Sequence, residues 1–157
     1  MSFRDLPPDM WFKLAMEMNY PDLINFCLSN KRINQKVCNQ EYFWKYKLNR
    51  DFFEYKNSFL DKNVKEKYKL LYSLDVVNRE WKLNENLVEL YYTKILDLEN
   101  NRIKEIPKEI GNLVNLEWLN LDKNQIKEIP KEIGNLVNLN QLSLHINQIE
   151  KIPKEIG

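Results

Sequence analysis

The sequence predicts an α+β protein, with helices over its N-terminal half and a repeated C-terminal half built around a short sheet. The repeat is literal, because the residues IKEIPKEIGNLVNL stand at 103–116 and again at 126–139, and IEKIPKEIG begins a third copy at Ile149. In the first half, apolar residues recur at helical spacing instead. No glycine or proline lies between Asp22 and Lys104, so a flexible linker between the halves is not expected.

Each copy contains one short strand and one return arc. Leu119 and Leu121 are two residues apart, so on a strand they point to the same face. The apolar residues that follow have to bend back to bury that face, which makes each copy one turn of a coil. From Leu116 to Ile126 the chain follows the pattern L-x-x-L-x-L-x-x-N-x-I. This pattern resembles the leucine-rich-repeat family, and the resemblance implies a short solenoid over residues 91–157, with about three repeats of 23 residues.

The polar and special residues of the copies have predictable places. Asn124 ends its strand, where its side-chain amide can bond backbone groups that a tight turn leaves unpaired. Pro107 and its equivalents lack an amide hydrogen and belong to the outer arc. Gly111 and Gly134 tolerate a φ above zero, so we expect them in the same irregular arc. Because the third copy stops at Gly157, we expect its strand to be an open edge.

The N-terminal half begins with two helices. Pro8 and Asp9 suit a first helical turn, proline through its fixed φ and aspartate through the helix dipole, and Trp11 opens an apolar stripe. Pro21 and Asp22 repeat this start signal ahead of the segment LINFCL. Because LINFCL is apolar on nearly every side, its neighbours in the chain cover only part of it, and another domain or a partner has to cover the rest.

Four landmarks of this region, taken in order, resemble the F-box family. They are a Leu-Pro start, an Asp-Leu pair, a Lys-Arg pair and a closing tryptophan, at Leu6-Pro7, Asp22-Leu23, Lys31-Arg32 and Trp44. The segment FCLSNKRIN, followed by an FW pair, is similar to variants seen in giant viruses and amoebae. The resemblance implies a three-helix F-box-like domain over residues 1–50. An ordinary three-helix bundle without an adaptor role is the alternative.

What the F-box resemblance implies is a partner. F-box domains bind the Skp-type adaptor of cullin-RING ubiquitin ligases, and a repeat domain downstream holds the substrate. The resemblance therefore implies an adaptor-binding surface at or directly behind Leu6, Pro7, Leu23, Ile24, Leu28 and Trp44. The whole chain is then expected to be a substrate-recognition adaptor in protein ubiquitination. The alternative is a stand-alone leucine-rich-repeat interaction module, a scaffold or decoy whose N-terminal helices are only a cap.

Residues 51–90 are expected to form a helical linker that caps the repeats. One apolar stripe of a long helix is formed by Val64, Tyr68, Leu71, Leu74 and Trp81. Leu87, Leu90 and Tyr91 would then seal the end of the repeat core, as the terminus of a repeat array requires.

Composition and charge exclude several function classes. With 43% apolar residues, 30% charged residues and a net charge of +1, the chain has no basic excess for nucleic acid and no apolar run for a membrane. The charged start MSFRDLPPD lacks a secretory apolar core, so we expect a cytoplasmic protein, in the host cytoplasm if it is viral. Cys27 and Cys38 are expected to be buried thiols rather than a disulfide or part of a zinc site.

The sequence contains no recognisable catalytic constellation. A serine or cysteine nucleophile needs a base, and the single histidine, His145, lies far in sequence from both cysteines. With three glycines in the chain there is no glycine-rich phosphate loop. We therefore expect no enzymatic activity, no catalytic residue, no metal and no cofactor.

The target is expected on the outward side of the strands. The arc residues are copied without change, whereas the strand positions that alternate with the core leucines differ in every repeat. We predict that these positions line a concave face and bind an unidentified target protein or peptide. They form three cross-strand rows: Ile95, Trp118 and Gln141, then Asp97, Asn120 and Ser143, then Glu99, Asp122 and His145. Trp118 is the expected anchor, because a large aromatic side chain is costly to leave in water.

Overall fold

The computed structural model describes residues 6–156 and separates the chain into two compact units, the first ending at Tyr72 and the second beginning at Ser73. The first unit is helical, and the second contains a three-stranded parallel sheet. Helices in the N-terminal half and a small sheet in the C-terminal half agree with the sequence-based prediction. The boundary between the units falls inside the segment 51–90. Within residues 6–156, no helix combines the length and apolar character that spanning a bilayer requires.

Proline and asparagine residues set the starts of the N-terminal helices. These helices are α1 (Pro8–Glu17), α2 (Tyr20–Ser29), α3 (Lys31–Ile33), which continues as a π-helical turn over Asn34–Cys38, and α4 (Glu41–Asp51). A 3₁₀ turn follows at Phe53–Tyr55, and α5 (Val64–Glu80) runs from the first unit into the second. The Asn19 side chain caps α2 by accepting the Asp22 N–H at 3.0 Å, and Asn30 caps α3 by accepting the Arg32 N–H at 2.8 Å.

The core of the first unit is aromatic. Trp11, Phe43 and Trp44 are buried, and Phe43 meets Trp44 edge to face with ring centroids 5.2 Å apart. The Trp44 indole N–H donates to the Cys38 carbonyl at 2.8 Å, so the buried ring has a partner for its one polar group. Leu23 is fully buried in the same unit.

Cys27 and Cys38 form a disulfide, so the expectation of two free buried thiols is wrong. Their Cα atoms lie 6.0 Å apart, within the range that a disulfide spans. The π-helical turn that ends at Cys38 packs against α2, where Cys27 lies near the end of the helix. Sequence spacing did not predict this approach, because a π-helical turn is rare and the sequence carries no signal for one.

A buried lysine ties the end of α1 to α4. The Lys47 side chain is fully buried, and its Nζ donates to the carbonyls of Met16 and Met18 at 2.9 and 2.8 Å. These carbonyls are among those that the end of a helix leaves without a partner in the helix. The same Nζ lies 3.2 Å from Asp51 Oδ2, which also accepts the Tyr68 hydroxyl at 2.6 Å.

The charges in this network shift each other's pKa. Burial lowers the pKa of Lys47 below its usual value, and the charge of Asp51 opposes part of that shift. Burial alone would raise the pKa of Asp51, but hydrogen bonds from Arg50 and Tyr68 and the charge of Lys47 lower it overall. The stability that Asp51 contributes is therefore fully present when the pH is above the unfolded-state pKa of aspartate, about 3.9. It is lost as the pH falls through the lower pKa that Asp51 has in the folded state.

The second unit contains the end of α5, a short helix and the parallel sheet. α6 (Leu87–Tyr92) precedes β1 (Ile95–Asp97), β2 (Trp118–Asn120) and β3 (Gln141–Ser143), with 3₁₀ turns at Lys108–Asn112, Lys131–Asn135 and Lys154–Ile156. The strands pair in parallel in chain order and begin 23 residues apart, as the repeat predicts. The predicted stripe of the long helix is also present: Tyr68, Leu71 and Leu74 are buried on α5, Val64 is half-buried, and Trp81 is buried just past its end.

The core leucines are covered unequally along the sheet. Leu119 and Leu121 are fully buried, as alternation along β2 predicts. Leu142 and Leu144, their equivalents one copy later, are only half-buried and line a recess of about 460 Å³ together with Ile129. The apolar side of β3 is therefore more open to solvent than that of β2.

Gly111 and Gly134 are required for close packing rather than for a positive φ. Both lie in the 3₁₀ turns of the arc, as expected, but neither uses the tolerance of glycine for a positive φ. A Cβ on Gly111 would lie 2.7 Å from the Glu132 carbonyl oxygen, and one on Gly134 would lie 2.9 Å from the Glu155 carbonyl oxygen. Successive 3₁₀ turns thus pack backbone against backbone, and any side chain at these positions would push them apart. Positive φ angles occur instead at one equivalent position of each copy, occupied by Asn100, Lys123 and Ile146.

The asparagine after each strand supports the turn, as the sequence predicts. Asn124 is buried, and its Nδ2 donates to the carbonyls of Leu98 and Leu121, both at 2.9 Å. Its Oδ1 accepts the N–H groups of Asn101 and Ile103 at 3.1 and 2.9 Å. One side chain therefore joins the backbone of two neighbouring copies, and Asn147 repeats the arrangement one copy later.

Lys47→Met should destabilise the protein by about 3 kcal/mol, because it leaves two helix-end carbonyls unpaired and removes the buried cation beside Asp51. Urea unfolding followed by circular dichroism at pH 7 measures the change. Lys45→Met is the matched control, since Lys45 lies on the same helix, is exposed and pairs with Glu41 at 2.9 Å. The control should cost less than about 0.5 kcal/mol. Similar costs for the two variants would contradict the assigned role of Lys47.

Asn124→Ala should cost about 2–3 kcal/mol more than Asn101→Ala, because only the first change leaves several buried backbone groups unpaired. Asn101 stands at the same position one copy earlier, but it is exposed and its side chain donates to the Glu99 carbonyl at 3.1 Å. Thermal unfolding of the two variants side by side measures the difference. If both melt at the same temperature, the asparagine does not stabilise the turn in the way described.

Candidate functional site

Two outward rows cross the sheet in the register that the sequence predicts. The strand face consists of one row of Ile95, Trp118 and Gln141 and a second row of Asp97, Asn120 and Ser143. Because successive side chains alternate across a strand, both rows lie on the side opposite the core leucines.

The third predicted row lies beyond the strands. Glu99, Asp122 and His145 each stand two residues after the last residue of β1, β2 and β3. Asp97 Oδ1 accepts the Glu99 N–H at 3.2 Å, and Asn120 Oδ1 accepts the Asp122 N–H at 3.0 Å. These Asx turns follow the strands. Neighbouring copies nevertheless stay in register here, because the Asn100 N–H donates to the Asp122 carbonyl at 3.0 Å and the Lys123 N–H donates to the His145 carbonyl at 2.8 Å. The third row therefore continues from copy to copy just past the strands.

Asn120 serves the scaffold rather than the surface. It is 8% exposed, its Nδ2 donates to Asp97 Oδ1 at 3.0 Å, and its Oδ1 accepts a hydrogen bond from the Asp122 N–H. Both polar atoms are therefore used within the chain, and Asn120 is not the exposed contact residue that the sequence predicts. Ser143, its equivalent on β3, is half-buried.

The first row is the apolar part of the strand face. Ile95 is 63% exposed, Trp118 beside it is half-buried, and Gln141 is exposed. An aliphatic side chain this exposed next to a tryptophan forms an apolar spot on an otherwise polar surface. Tryptophan is also the residue type most enriched among interface anchors. This row is the part of the sheet best suited to bury a partner's side chain.

Ion pairs flank the strand face on two sides. Lys94 lies 2.8 Å from Glu117, and Lys123 lies 2.6 Å from Glu99. The pKa of each lysine is raised above its usual value, chiefly by the hydrogen bond to the glutamate carboxylate and secondly by the negative charge of that carboxylate. All four side chains are well exposed, so these pairs add little to stability. Their effect is to neutralise the charges at the border of the face.

The residues predicted to bind the adaptor divide between the core and the surface of the first unit. Leu23 and Trp44 are buried, Leu6 and Ile24 are half-buried, and Pro7 and Leu28 are exposed. Leu28 is 73% exposed and lies one turn after Ile24 on α2. Of these six residues, it is the large side chain most open to a partner.

Sequence reasoning missed an exposed aromatic cluster on the first unit. Phe12 on α1 stacks on Tyr42 with ring centroids 5.8 Å apart and meets Tyr46 edge-on at 6.2 Å. Tyr42 and Tyr46 are 49% and 63% exposed. Their spacing of four residues on α4 is a signal that places both on one helix face. Met10, 47% exposed at the start of α1, was also not singled out.

The chain offers few groups for metal binding or nucleophilic chemistry. Within residues 6–156, no three histidine, cysteine or acidic side chains are grouped so that they could hold a metal ion. With Cys27 and Cys38 joined, neither thiol is available as a nucleophile. The backbone N–H of His145 donates to Asp122 Oδ1 at 2.7 Å.

Comparison with known proteins identifies one family. A leucine-rich repeat region is found over residues 53–157, which is about two thirds of the chain, and no F-box domain is found. No curated protein matches the sequence. A region of this family suggests a module for protein–protein interaction. Because the matched residues include the three strands, the 3₁₀ turns between them and the asparagines that bridge neighbouring copies, the chain belongs to the leucine-rich-repeat family.

Proposed function

We propose that the protein is a substrate-recognition adaptor of an SCF-type, cullin-RING ubiquitin ligase. The N-terminal helices act as an F-box and bind the Skp-type adaptor, and the leucine-rich-repeat region binds the target protein. The observation that carries the proposal is the order of the parts: helices with the F-box landmarks precede a region whose family suggests protein–protein interaction. The chain works by binding, without a catalytic residue, metal or cofactor of its own, and nucleic acid and membranes take no part.

The exposure of Leu28 supports the first half of the proposal. α2 is the apolar helix that the sequence expects a partner to cover, and Leu28 is 73% exposed on it. Burying such a side chain in a partner's pocket is favourable by about 1.5–3 kcal/mol. Leu23 and Trp44 belong to the buried layer that holds this surface in place from behind.

The packing of the copies supports the second half. We infer that the three 23-residue copies form a short solenoid with the strand face on its concave side, because parallel strands and backbone-packed 3₁₀ turns recur in register. Three strands about 4.8 Å apart present only a few hundred Å². A standard interface buries roughly 800 Å² on each partner. The target therefore contributes a short extended segment to this face.

A second function has one observation in its favour. The family comparison finds the leucine-rich repeat region but no F-box domain. This favours a stand-alone leucine-rich-repeat interaction module, a scaffold or decoy, in which the N-terminal helices bind no ligase component. Binding of the Skp-type adaptor distinguishes the two functions.

Leu28→Lys should lower the affinity for a purified Skp-type adaptor at least about 30-fold, or ~2 kcal/mol, because an unpaired ammonium cannot be desolvated cheaply in an apolar contact. The variant should keep its helical circular dichroism, since Leu28 is exposed. Leu60→Lys is the matched control, as Leu60 is 80% exposed and lies outside the predicted contact. It should bind like the wild type. If the wild-type chain does not bind the adaptor, or the Leu28 variant binds as well as the control, the stand-alone module is the better description.

Trp118→Ala should weaken target capture by about 2 kcal/mol and leave adaptor binding unchanged, because it removes the aromatic anchor of the strand face. Crosslinking in cells followed by quantitative mass spectrometry of captured proteins measures the first effect, and adaptor binding with purified components measures the second. Val137→Ala is the control, since Val137 is 80% exposed and lies on the arc after β2. A target set that survives Trp118→Ala unchanged would move the binding surface away from the strands.

A further inference from the structure

The strand face and its border carry two carboxylates that form no ion pair with any residue in 6–156, although Asp122 lies near enough to the Lys123 ammonium for their charges to interact. Asp97 is the last residue of β1, and Asp122 follows the end of β2 by two residues. Within residues 6–156 neither takes part in an ion pair, whereas the two glutamates that flank them pair with lysines at 2.6 and 2.8 Å. The face is therefore neutral at its border and negative at these two points.

Both aspartates are held through one oxygen and present the other. Asp97 Oδ1 accepts the Asn120 amide at 3.0 Å and the Glu99 N–H at 3.2 Å, and Asp122 Oδ1 accepts the His145 N–H at 2.7 Å. No described residue donates to the Oδ2 atom of either aspartate, although a carboxylate has acceptor sites on both oxygens. The two Oδ2 atoms are therefore positioned in advance for a donor that does not belong to this part of the chain.

The charge of Asp97 is not needed for the turn it supports. Asn120 stands at the equivalent position one copy later and makes the same Asx turn, accepting the Asp122 N–H at 3.0 Å with a neutral side chain. An asparagine at position 97 would support the first copy in the same way. The negative charge is therefore additional to what the turn requires.

An apolar row lies directly beside these charges. Ile95 precedes Asp97 by two residues on β1 and so shares its face, and Trp118 lies opposite Ile95 in the register. The face of an indole ring attracts a cation, and an arginine guanidinium can lie flat on the ring while it donates to a carboxylate at its edge. A lysine ammonium lacks the planar, forked geometry that satisfies both groups together.

We propose that the strand face binds an extended target segment with an arginine placed between Trp118 and the two aspartates and an apolar side chain over Ile95. The inference rests on the proposed function, in that it takes the strand face to be the target-binding surface, and it adds the chemistry of what is bound. One arginine and one apolar residue two positions apart fit the small area of three short strands.

A set of three synthetic peptides tests the arginine. Each is a heptapeptide with blocked ends, made of alanine and glycine with leucine at its third position. The fifth position is arginine, lysine or citrulline. Citrulline keeps the shape of arginine without its charge. Nuclear magnetic resonance titration of the ¹⁵N-labelled full chain follows the indole N–H of Trp118, assigned with Trp118→Phe. We expect the arginine peptide to bind at least about tenfold more tightly than the citrulline peptide, and the lysine peptide to fall between them.

Two variants that keep the scaffold test the aspartates. Asp97→Asn and Asp122→Asn retain the Oδ1 acceptor and remove only the charge, so each should weaken the arginine peptide about fivefold and leave the citrulline peptide unchanged. Glu128→Gln is the matched control, because it removes one negative charge from an exposed position on the arc. It should leave all three affinities as they are.

The outcomes separate this inference from the proposed function. Equal affinity for arginine and citrulline, no binding of the arginine peptide at millimolar concentration, or equal behaviour of Asp97→Asn and Glu128→Gln would each overturn the arginine assignment. If Trp118→Ala nevertheless weakens target capture, the interaction role stands and only its chemistry is wrong. Arginine selectivity without any adaptor binding would instead retain the inference and remove the ligase role.

Discussion

Every 23-residue copy has to turn its chain away from the sheet without leaving buried backbone groups unpaired. Asn124 meets this requirement by bonding carbonyls of its own copy and of the copy before it, and by accepting two N–H groups of the earlier turn. On the opposite arc, Gly111 lets the next turn approach so closely that a Cβ would lie 2.7 Å from its carbonyl oxygen. The spacing between copies is thus set at both ends of each turn of chain, and the strand face depends on that spacing.

This frame explains which positions are free to change between copies. An asparagine or glycine of the frame contacts the neighbouring copy, so a substitution there disturbs two copies at once. A strand-face residue such as Trp118 or Gln141 points away from those contacts, and the frame does not dictate its identity. The same reasoning marks Asn120 as an exception, because it stands on the strand face and yet bonds Asp97 and the turn after β2. Position on the face alone does not make a residue a contact for a target.

The sequence predicted what depends on local pattern and missed what depends on tertiary approach. The 23-residue period, the strand register and the role of Asn124 follow from spacing, because a repeated pattern can pack only in one register. The close approach at Gly111 and the burial of Lys47 against the end of α1 depend on the distance in space between two segments of chain. The spacing of residues along the sequence does not give that distance. The disulfide of Cys27 lies against a π-helical turn, and the third row lies past strands that end after three residues, where Asx turns begin. Within the candidate site, the residues of the first row were predicted, whereas the unpaired charge of Asp97 was visible only once its neighbours were placed.

The two units use charge in different ways, and the difference bears on function. In the first unit, Lys47 and Asp51 are held by hydrogen bonds that consume both partners, so their charges serve the fold and leave nothing for a ligand. On the strand face, Asp97 is oriented by its neighbours but keeps one oxygen without a donor from the described chain. A charge that is fixed in place and left unpaired does not stabilise the chain that carries it, since an uncharged asparagine makes the same turn one copy later. Recognition is the role that we propose for this charge, and its place near Trp118 makes a cation with a flat, hydrogen-bonding surface the group that we expect to fit it.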